Sequence, residues 1–260
     1  YLPTGVVAVG KPADLVIVED IREFNVLEVY IGGEMVAKDG KALFEASPAM
    51  LSARTIRRDI PAEQLAIKHE GSEAYVRVIV VDPDQIETAG TVERLLVEGG
   101  SIVPDPAKDV LLLAVVNRYI EAPPALGFVR GFKFKRGAAA STVAHDSHNI
   151  IVVGVDRESM ARAISKVSTD GGYHVTDGNE EASLALNIAG LMSTEPCANV
   201  IEDERAAIEL MRRFGCDLPA PFVTLSFLSL LVVPSLRLSD KGLFDSRSFK
   251  FVDAVVDGPK

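Results

Sequence analysis

The sequence predicts an α+β protein in two parts: a small all-β unit over residues 1–46 and a mixed α/β domain over residues 50–260. Three observations predict it. Short β-branched runs fill the first 46 residues without helical spacing. Strand and helix patterns alternate through residues 149–215. Gly-Gly and Asp-Gly pairs between strands mark hairpins as well as crossovers, which argues against a purely parallel sheet. With 48% apolar and 25% charged residues, a chain of 260 has material for a substantial core.

In the front unit, residues 6–9, 15–18, 26–31 and 34–37 read as strands, separated by Gly-Lys-Pro, Glu-Asp and Gly-Gly punctuation. Gly32-Gly33 lies between Tyr30-Ile31 and Met35-Val36, and two residues that accept positive φ match the twist of a hairpin. Four strands this short bury too little to stand alone. The chain also opens at Tyr1, without Met and directly before a strand-like run, so it reads as a piece of something longer.

From residue 47 the character changes. Ser47-Pro48 and residues 54–61 read as a connector. Residues 75–81, stopped by Asp82-Pro83, and residues 110–116 are continuous apolar runs expected as buried strands; a short mixed stretch at 91–98 precedes Gly99-Gly100. Residues 121–137 hold Pro123-Pro124 and three glycines among Arg130, Lys133, Lys135 and Arg136, and read as a basic loop whose cations pair with acidic neighbours. Residues 149–155 form a strand. Asp156 then N-caps a helix with Met160, Ile164 and Val167 at helical spacing, ended by Gly171-Gly172. Residues 173–176 and 183–188 flank an Asp177-Gly178 turn. A second helix follows Thr194-Glu195-Pro196, with Val200, Ala207, Ile208, Met211 and Phe214 apolar, and stops at Gly215.

Composition excludes several function classes. Acidic residues outnumber basic ones 37 to 27, for a formal charge of −10 and a pI near 5.0. Nucleic acid and anionic membrane surfaces demand a basic face, so neither is expected as a partner. The longest apolar run, residues 222–233 between two prolines, is too short to span a bilayer. Cys197 and Cys216 make no disulfide framework and fit a reducing compartment; with no leader pattern in the first residues, a cytoplasmic location is expected.

The chemistry-bearing stretch is residues 141–154. Two of the four histidines, His145 and His148, stand three apart with Asp146, Ser147 and Asn149 around them, between small residues and a strand. Imidazole titrates near neutrality, so such a cluster can move protons, bind substrate or contribute to a metal site. It can equally be a polar turn whose Asp and Asn bond the local backbone. A closed metal site needs more ligands than this stretch readily wraps around an ion. Ser147 is not in a Gly-x-Ser-x-Gly elbow, which argues against a Ser-His-Asp triad. The other two histidines, His69 and His174, are expected to be exposed, and the cysteines to be packing thiols.

Several blocks resemble the C-terminal domain of bacterial and archaeal adenine deaminases. They are Gly127-Phe128-Val129-Arg130-Gly131-Phe132, Lys135-Arg136-Gly137-Ala138, and Val143-Ala144-His145-Asp146-Ser147-His148-Asn149-Ile150-Ile151-Val152-Val153-Gly154. The pattern continues in Ile188-Ala189-Gly190-Leu191-Met192-Ser193, Pro221-Phe222-Val223-Thr224-Leu225-Ser226-Phe227-Leu228 and Ser239-Asp240-Lys241-Gly242-Leu243. At the front, Gly5-Val6-Val7-Ala8-Val9-Gly10-Lys11-Pro12-Ala13-Asp14-Leu15-Val16-Ile17 and Val29-Tyr30-Ile31-Gly32-Gly33-Glu34-Met35-Val36 resemble the β-sandwich segment that follows the barrel of amidohydrolases. The resemblance thus implies a partial β-sandwich followed by the C-terminal domain.

It also implies hydrolytic deamination of adenine to hypoxanthine and ammonia, with a metal-bound hydroxide attacking C6 of the purine. The metal, Mn(II) or Fe(II), would sit in a catalytic barrel of the same enzyme, with its main ligands outside this chain and none assigned within it. His145, Asp146 and His148 would serve catalysis, and Ser147 and Asn149 substrate binding, at the mouth of the barrel. A homo-oligomer is expected, and the isolated chain is expected to be inactive. The zinc signature of nucleotide deaminases is incomplete, because Pro196-Cys197-Ala198-Asn199-Val200 lacks its second cysteine.

Departures from the pattern are Tyr119 where the family has His after a basic residue, Pro123-Pro124 in the following loop, and Asn187 and Leu231 at expected prolines. If that His contacts substrate or orients the cluster, Tyr119 would shift specificity or efficiency. The alternatives are a structural or oligomerisation domain without part in the chemistry, a divergent amidohydrolase acting on a related purine, or a self-contained metal-binding protein using His145, Asp146 and His148.

Overall fold

The Gly32-Gly33 pair does what its sequence requires. In the computed structural model, which describes residues 4–45 and 57–258, both glycines take positive φ (60° and 87°) and pair Ile31 with Glu34. The hairpin belongs to a four-stranded antiparallel sheet of β1 (Leu15–Val18), β2 (Val26–Ile31), β3 (Glu34–Lys38) and β4 (Lys41–Ala42). The strand expected at residues 6–9 does not form. Those residues are turn and coil, with Val6, Val7 and Val9 exposed, because no neighbouring strand offers them a ladder. None of residues 4–45 is buried, so this sheet encloses no core of its own.

The chain separates into two units at residues 50 and 51. The connector expected at 47–48 and at 54–56 lies outside the described residues; the remainder of it, 57–61, leads into a short 3-10 turn at Ala62–Leu65.

The second unit is a ten-stranded sheet covered on both faces. Its strands are β5 (Glu73–Val81), β6 (Thr88–Glu98), β7 (Ser101–Ile102), β8 (Leu111–Val116), β9 (Ala125–Arg130), β10 (Ala138–Ser141) and β11 (Ile150–Gly154). Helix α1 (Arg157–Asp170) then leads to β12 (Tyr173–Thr176) and β13 (Glu181–Leu184), and α2 (Cys197–Arg213) and α3 (Pro221–Phe227) follow. A three-stranded sheet of β14 (Leu236–Ser239), β15 (Gly242–Asp245) and β16 (Lys250–Phe251) precedes β17 (Val255–Val256), which returns to pair with β5. The order across the large sheet is β13-β12-β10-β11-β8-β9-β5-β6-β7, antiparallel throughout except for the parallel β5–β9 pair. This mixture of hairpins and helices is the α+β class expected from the sequence.

Two-sided cover explains the continuous apolar runs. Along β8, Leu111, Leu113 and Val115 face one core with Ala207, Leu210 and Met211 of α2, Phe214 just beyond it, and Phe222 and Leu225 of α3. Leu112, Ala114 and Val116 face the other, with Met160, Ala163, Ile164 and Val167 of α1. Alternation is present but invisible in hydropathy, because both faces are apolar. The Asp156 carboxylate caps α1 by accepting from the Ser159 N–H at 2.7 Å, as its position predicts.

Three further readings need correction. The basic loop at 121–137 contains β9, whose Phe128 and Val129 are fully buried; Pro, Gly and Arg around it hid a strand that its partners β8 and β5 define. The mixed stretch at 91–98 is part of an eleven-residue strand, because its pairing with β5 extends back to Thr88. The strand expected at 183–188 ends at Leu184, and Ile188 instead forms a bridge to Met192. The expected salt bridges of the basic segment do form, Arg130 with Glu93 at 3.0 Å and Lys133 with Asp217 at 2.6 Å.

Candidate functional site

The antiparallel strands β10 and β11 leave residues 142–149 as the loop between them, since Ser141 pairs with Ile151. The backbone closes on itself where the His148 N–H donates to the Ala144 carbonyl at 2.7 Å, with His148 at a φ of 50°. Ala144 is fully buried and anchors the loop in the core beneath α3. The tip is held from the same side: the His145 N–H donates to the Ser226 carbonyl at 3.0 Å, and the Ser229 hydroxyl donates to the His145 carbonyl at 2.7 Å.

This geometry brings the two imidazoles together. Their ring centroids are 5.6 Å apart, and the His145 ring lies 4.8 Å from that of Phe227. Asp146 and Ser147 are exposed beside them, whereas Asn149 is only 2% exposed. The Asn149 amide is committed within the loop, its Oδ1 accepting from the Arg118 N–H at 3.4 Å and its Nδ2 donating to the Ser147 hydroxyl at 3.2 Å. The Tyr119 phenol donates to the Ser147 carbonyl at 2.9 Å. All five residues singled out from the sequence therefore share one turn, with Asp146 and Ser147 on its outside and Asn149 beneath it.

His148 is the most distinctive member. Its Nδ1 is buried and has no hydrogen-bond partner among the described residues. Burial first, then the charges of His145 and Arg118, hold its pKa below the ordinary 6.5, with Asp146 opposing. A neutral imidazole can accept or donate a proton at neutral pH. Among the described residues there is no group of three or more His, Cys, Asp and Glu side chains able to hold a metal ion, so the cluster does not fit a resident Mn(II) or Fe(II).

Phe227, Ser226 and Ser229 shape the turn but were not legible as site residues, because about eighty positions separate them from it and no local pattern links the two. Of the remaining histidines, His174 is 2% exposed and not on the surface. Its strand lies between β10 and β13, and its Nδ1 sits 2.7 Å from the Ser183 hydroxyl. His69 is half-buried. Cys216 packs in the core, as expected of a packing thiol, while Cys197 is exposed.

The fold and the turn define an α+β domain that displays a paired-imidazole hairpin loop and carries no group of three or more metal-ligating side chains among the described residues. Residues 85–250 match the family model described as the adenine deaminase C-terminal domain, and the chain belongs to that family. Proteins named adenine deaminase from Methanosarcina acetivorans, Methanothermobacter thermautotrophicus and Salinibacter ruber are 39%, 43% and 41% identical to it, over 98%, 96% and 98% of this chain. The chain covers 48%, 47% and 47% of those proteins, so it spans about half the length of the curated relatives it matches. No helix among the described residues is long and apolar enough to cross a membrane.

Proposed function

We propose that this chain is the C-terminal half of an adenine deaminase of the amidohydrolase superfamily, a hydrolase that cleaves a cyclic amidine C–N bond to convert adenine and water into hypoxanthine and ammonia. Residues 1–46 contribute part of a β-sandwich and residues 50–260 form the family's C-terminal domain. The observation that carries the role of this half is the loop at 145–149. Two imidazoles, one with an unpartnered buried nitrogen and a lowered pKa, stand beside an exposed carboxylate and hydroxyl on a rigidly pinned turn.

In this reading His148, neutral at working pH, takes and returns a proton near the purine ring, and His145 and Asp146 set its basicity through their charges. Ser147 offers its hydroxyl to substrate while Asn149 holds it in place. The Mn(II) or Fe(II) of the parent enzyme would be held by residues outside the described ones and would supply the activated water; nothing in this chain's part depends on ligating it. A loop that closes over a cleft also excludes water and strengthens the electrostatics within.

The front sheet favours completion by the preceding part of the same polypeptide, because none of its described residues is buried and Val16, Ile17, Val26, Leu27 and Ile31 are exposed. A homo-oligomer and a cytoplasmic location, where the exposed Cys197 would stay reduced, complete the proposal.

The test is His148→Ala in the full-length enzyme. Adenine turnover falls by a factor of about 100 or more while the melting temperature holds, as for loss of an acid–base group. Unchanged kinetics, or loss that tracks unfolding, favours the second reading, a structural or oligomerisation domain. That reading rests on the dense pinning of the turn by Ser226, Ser229 and Tyr119.

A further inference from the structure

Arg118 is 4% exposed, and no carboxylate pairs with it among the described residues. Its Nη2 donates to the Ala189 carbonyl and, at 3.3 Å, to the Tyr119 hydroxyl. Its Nε is buried without a hydrogen-bond partner among the described residues. A second buried arginine shows what a purely structural one looks like here. Arg237 spreads its Nε, Nη1 and Nη2 over the carbonyls of Val233, Phe227, Ile86 and Pro234, leaving no nitrogen idle. A guanidinium keeps its charge at any physiological pH, so a buried one with an idle donor calls for an acceptor.

Arg118 opens onto a cavity of about 350 Å³ walled by the last turn of α1, Gly171 and residues 185–190. The walls are built closely around the guanidinium. Gly190 has a φ of 71°, and a Cβ there would overlap Arg118 Nη1; the Thr142 hydroxyl fixes the Gly190 carbonyl at 2.6 Å. The other polar lining groups are engaged elsewhere. Asp170, the one carboxylate of the lining, is paired with Lys166 at 3.2 Å, and the Asn187 amide is spent on Thr194.

We infer that this cavity binds a small monovalent carboxylate on the Arg118 guanidinium. A carboxylate oxygen forms a charge-assisted bond with a guanidinium N–H, and Nη1 is the Arg118 nitrogen that neither makes a hydrogen bond among the described residues nor is sealed from the cavity. The negative end of α1 and Asp170 border the same space and oppose negative charge, which penalises a dianion such as inorganic phosphate more than a monoanion. The site shares no lining residue with the 145–149 turn and does not depend on the deaminase reading.

The experiment is an NMR titration of the 260-residue chain with sodium acetate at constant ionic strength, chloride being the balancing anion. The Arg118 Nε–H cross-peak and the Gly171 and Gly190 amides shift together and saturate, and inorganic phosphate saturates them only at higher concentration. Arg118→Met abolishes the saturable shift at the two glycines. Gly190→Ala, which keeps the charge but crowds the guanidinium, weakens acetate about tenfold or more, the effect of misplacing one charge-assisted pair. The absence of a saturable shift in the wild type overturns the inference whatever the variants do. Saturation by acetate in a folded Arg118→Met overturns it too, as does phosphate binding as tight as acetate.

Discussion

The phenol of Tyr119 donates to the carbonyl oxygen of Ser147 at 2.9 Å, tying the end of the segment after β8 to the crown of the histidine loop. Tyr119 is about half exposed, and its backbone N–H donates to Asn117 Oδ1 at 2.9 Å. Tyr119 is therefore a strut of the turn.

Removing that strut separates positioning from stability. Tyr119→Phe is expected to cost about 0.5–1 kcal/mol or less in chemical denaturation, the net worth of one part-exposed hydrogen bond. In the full-length enzyme it should lower turnover several-fold through a looser turn, and Tyr119→His should restore part of it. Equal turnover in wild type and Tyr119→Phe would mean that the strut does not serve the reaction.

Acid should destabilise the second unit through two imidazoles, His174, which is buried, and His148, which is half-buried. Burial is the largest cause lowering the pKa of both His148 and His174 from 6.5. The unfolded chain then binds protons that the folded one refuses, so this contribution is fully present above about pH 6.5 and is lost as pH falls through the lowered folded values. Urea midpoints measured from pH 7.5 to 5 should fall with acidity. The slope should flatten in His174→Gln and flatten further in the double variant with His148→Gln.

Arg237 should be the most sensitive single position. It is fully buried, burial pushes its pKa down to about 10, and its guanidinium gathers carbonyls from residues 86, 227, 233 and 234. Arg237→Met leaves those carbonyls unsatisfied, and a loss on the order of 3–5 kcal/mol is expected. Thermal melting checks it; a loss below about 1 kcal/mol would show that water replaces the side chain freely.

The cap of α1 gives a smaller, local effect. Asp156→Ala removes the acceptor for the Ser159 N–H and should cost about 1 kcal/mol, with Asp156→Asn recovering most of it. Circular dichroism melts would read both.

The purified 260-residue chain supplied with Mn(II) should release no hypoxanthine from adenine, since no metal-ligand group exists among its described residues. Measurable release would refute the division of labour proposed for the two halves.

Local chemistry determined much of this protein in the sequence alone. Asp156 and Gly171 bound α1, Gly32-Gly33 turned a hairpin, and the His-Asp-Ser-His-Asn run announced the candidate turn, because caps, positive-φ turns and clustered imidazoles are short-range features. Tertiary structure decided what depends on distant partners. It made β9 a strand inside a segment rich in Pro, Gly and basic residues, because β8 and β5 flank it. It denied residues 6–9 a ladder and buried His174 in mid-sheet. It also brought Phe227, Ser226 and Ser229 onto His145, and left Arg118 buried with an idle Nε beside a cavity. Pairing and burial are set by which surfaces meet, and that information is spread over the whole chain.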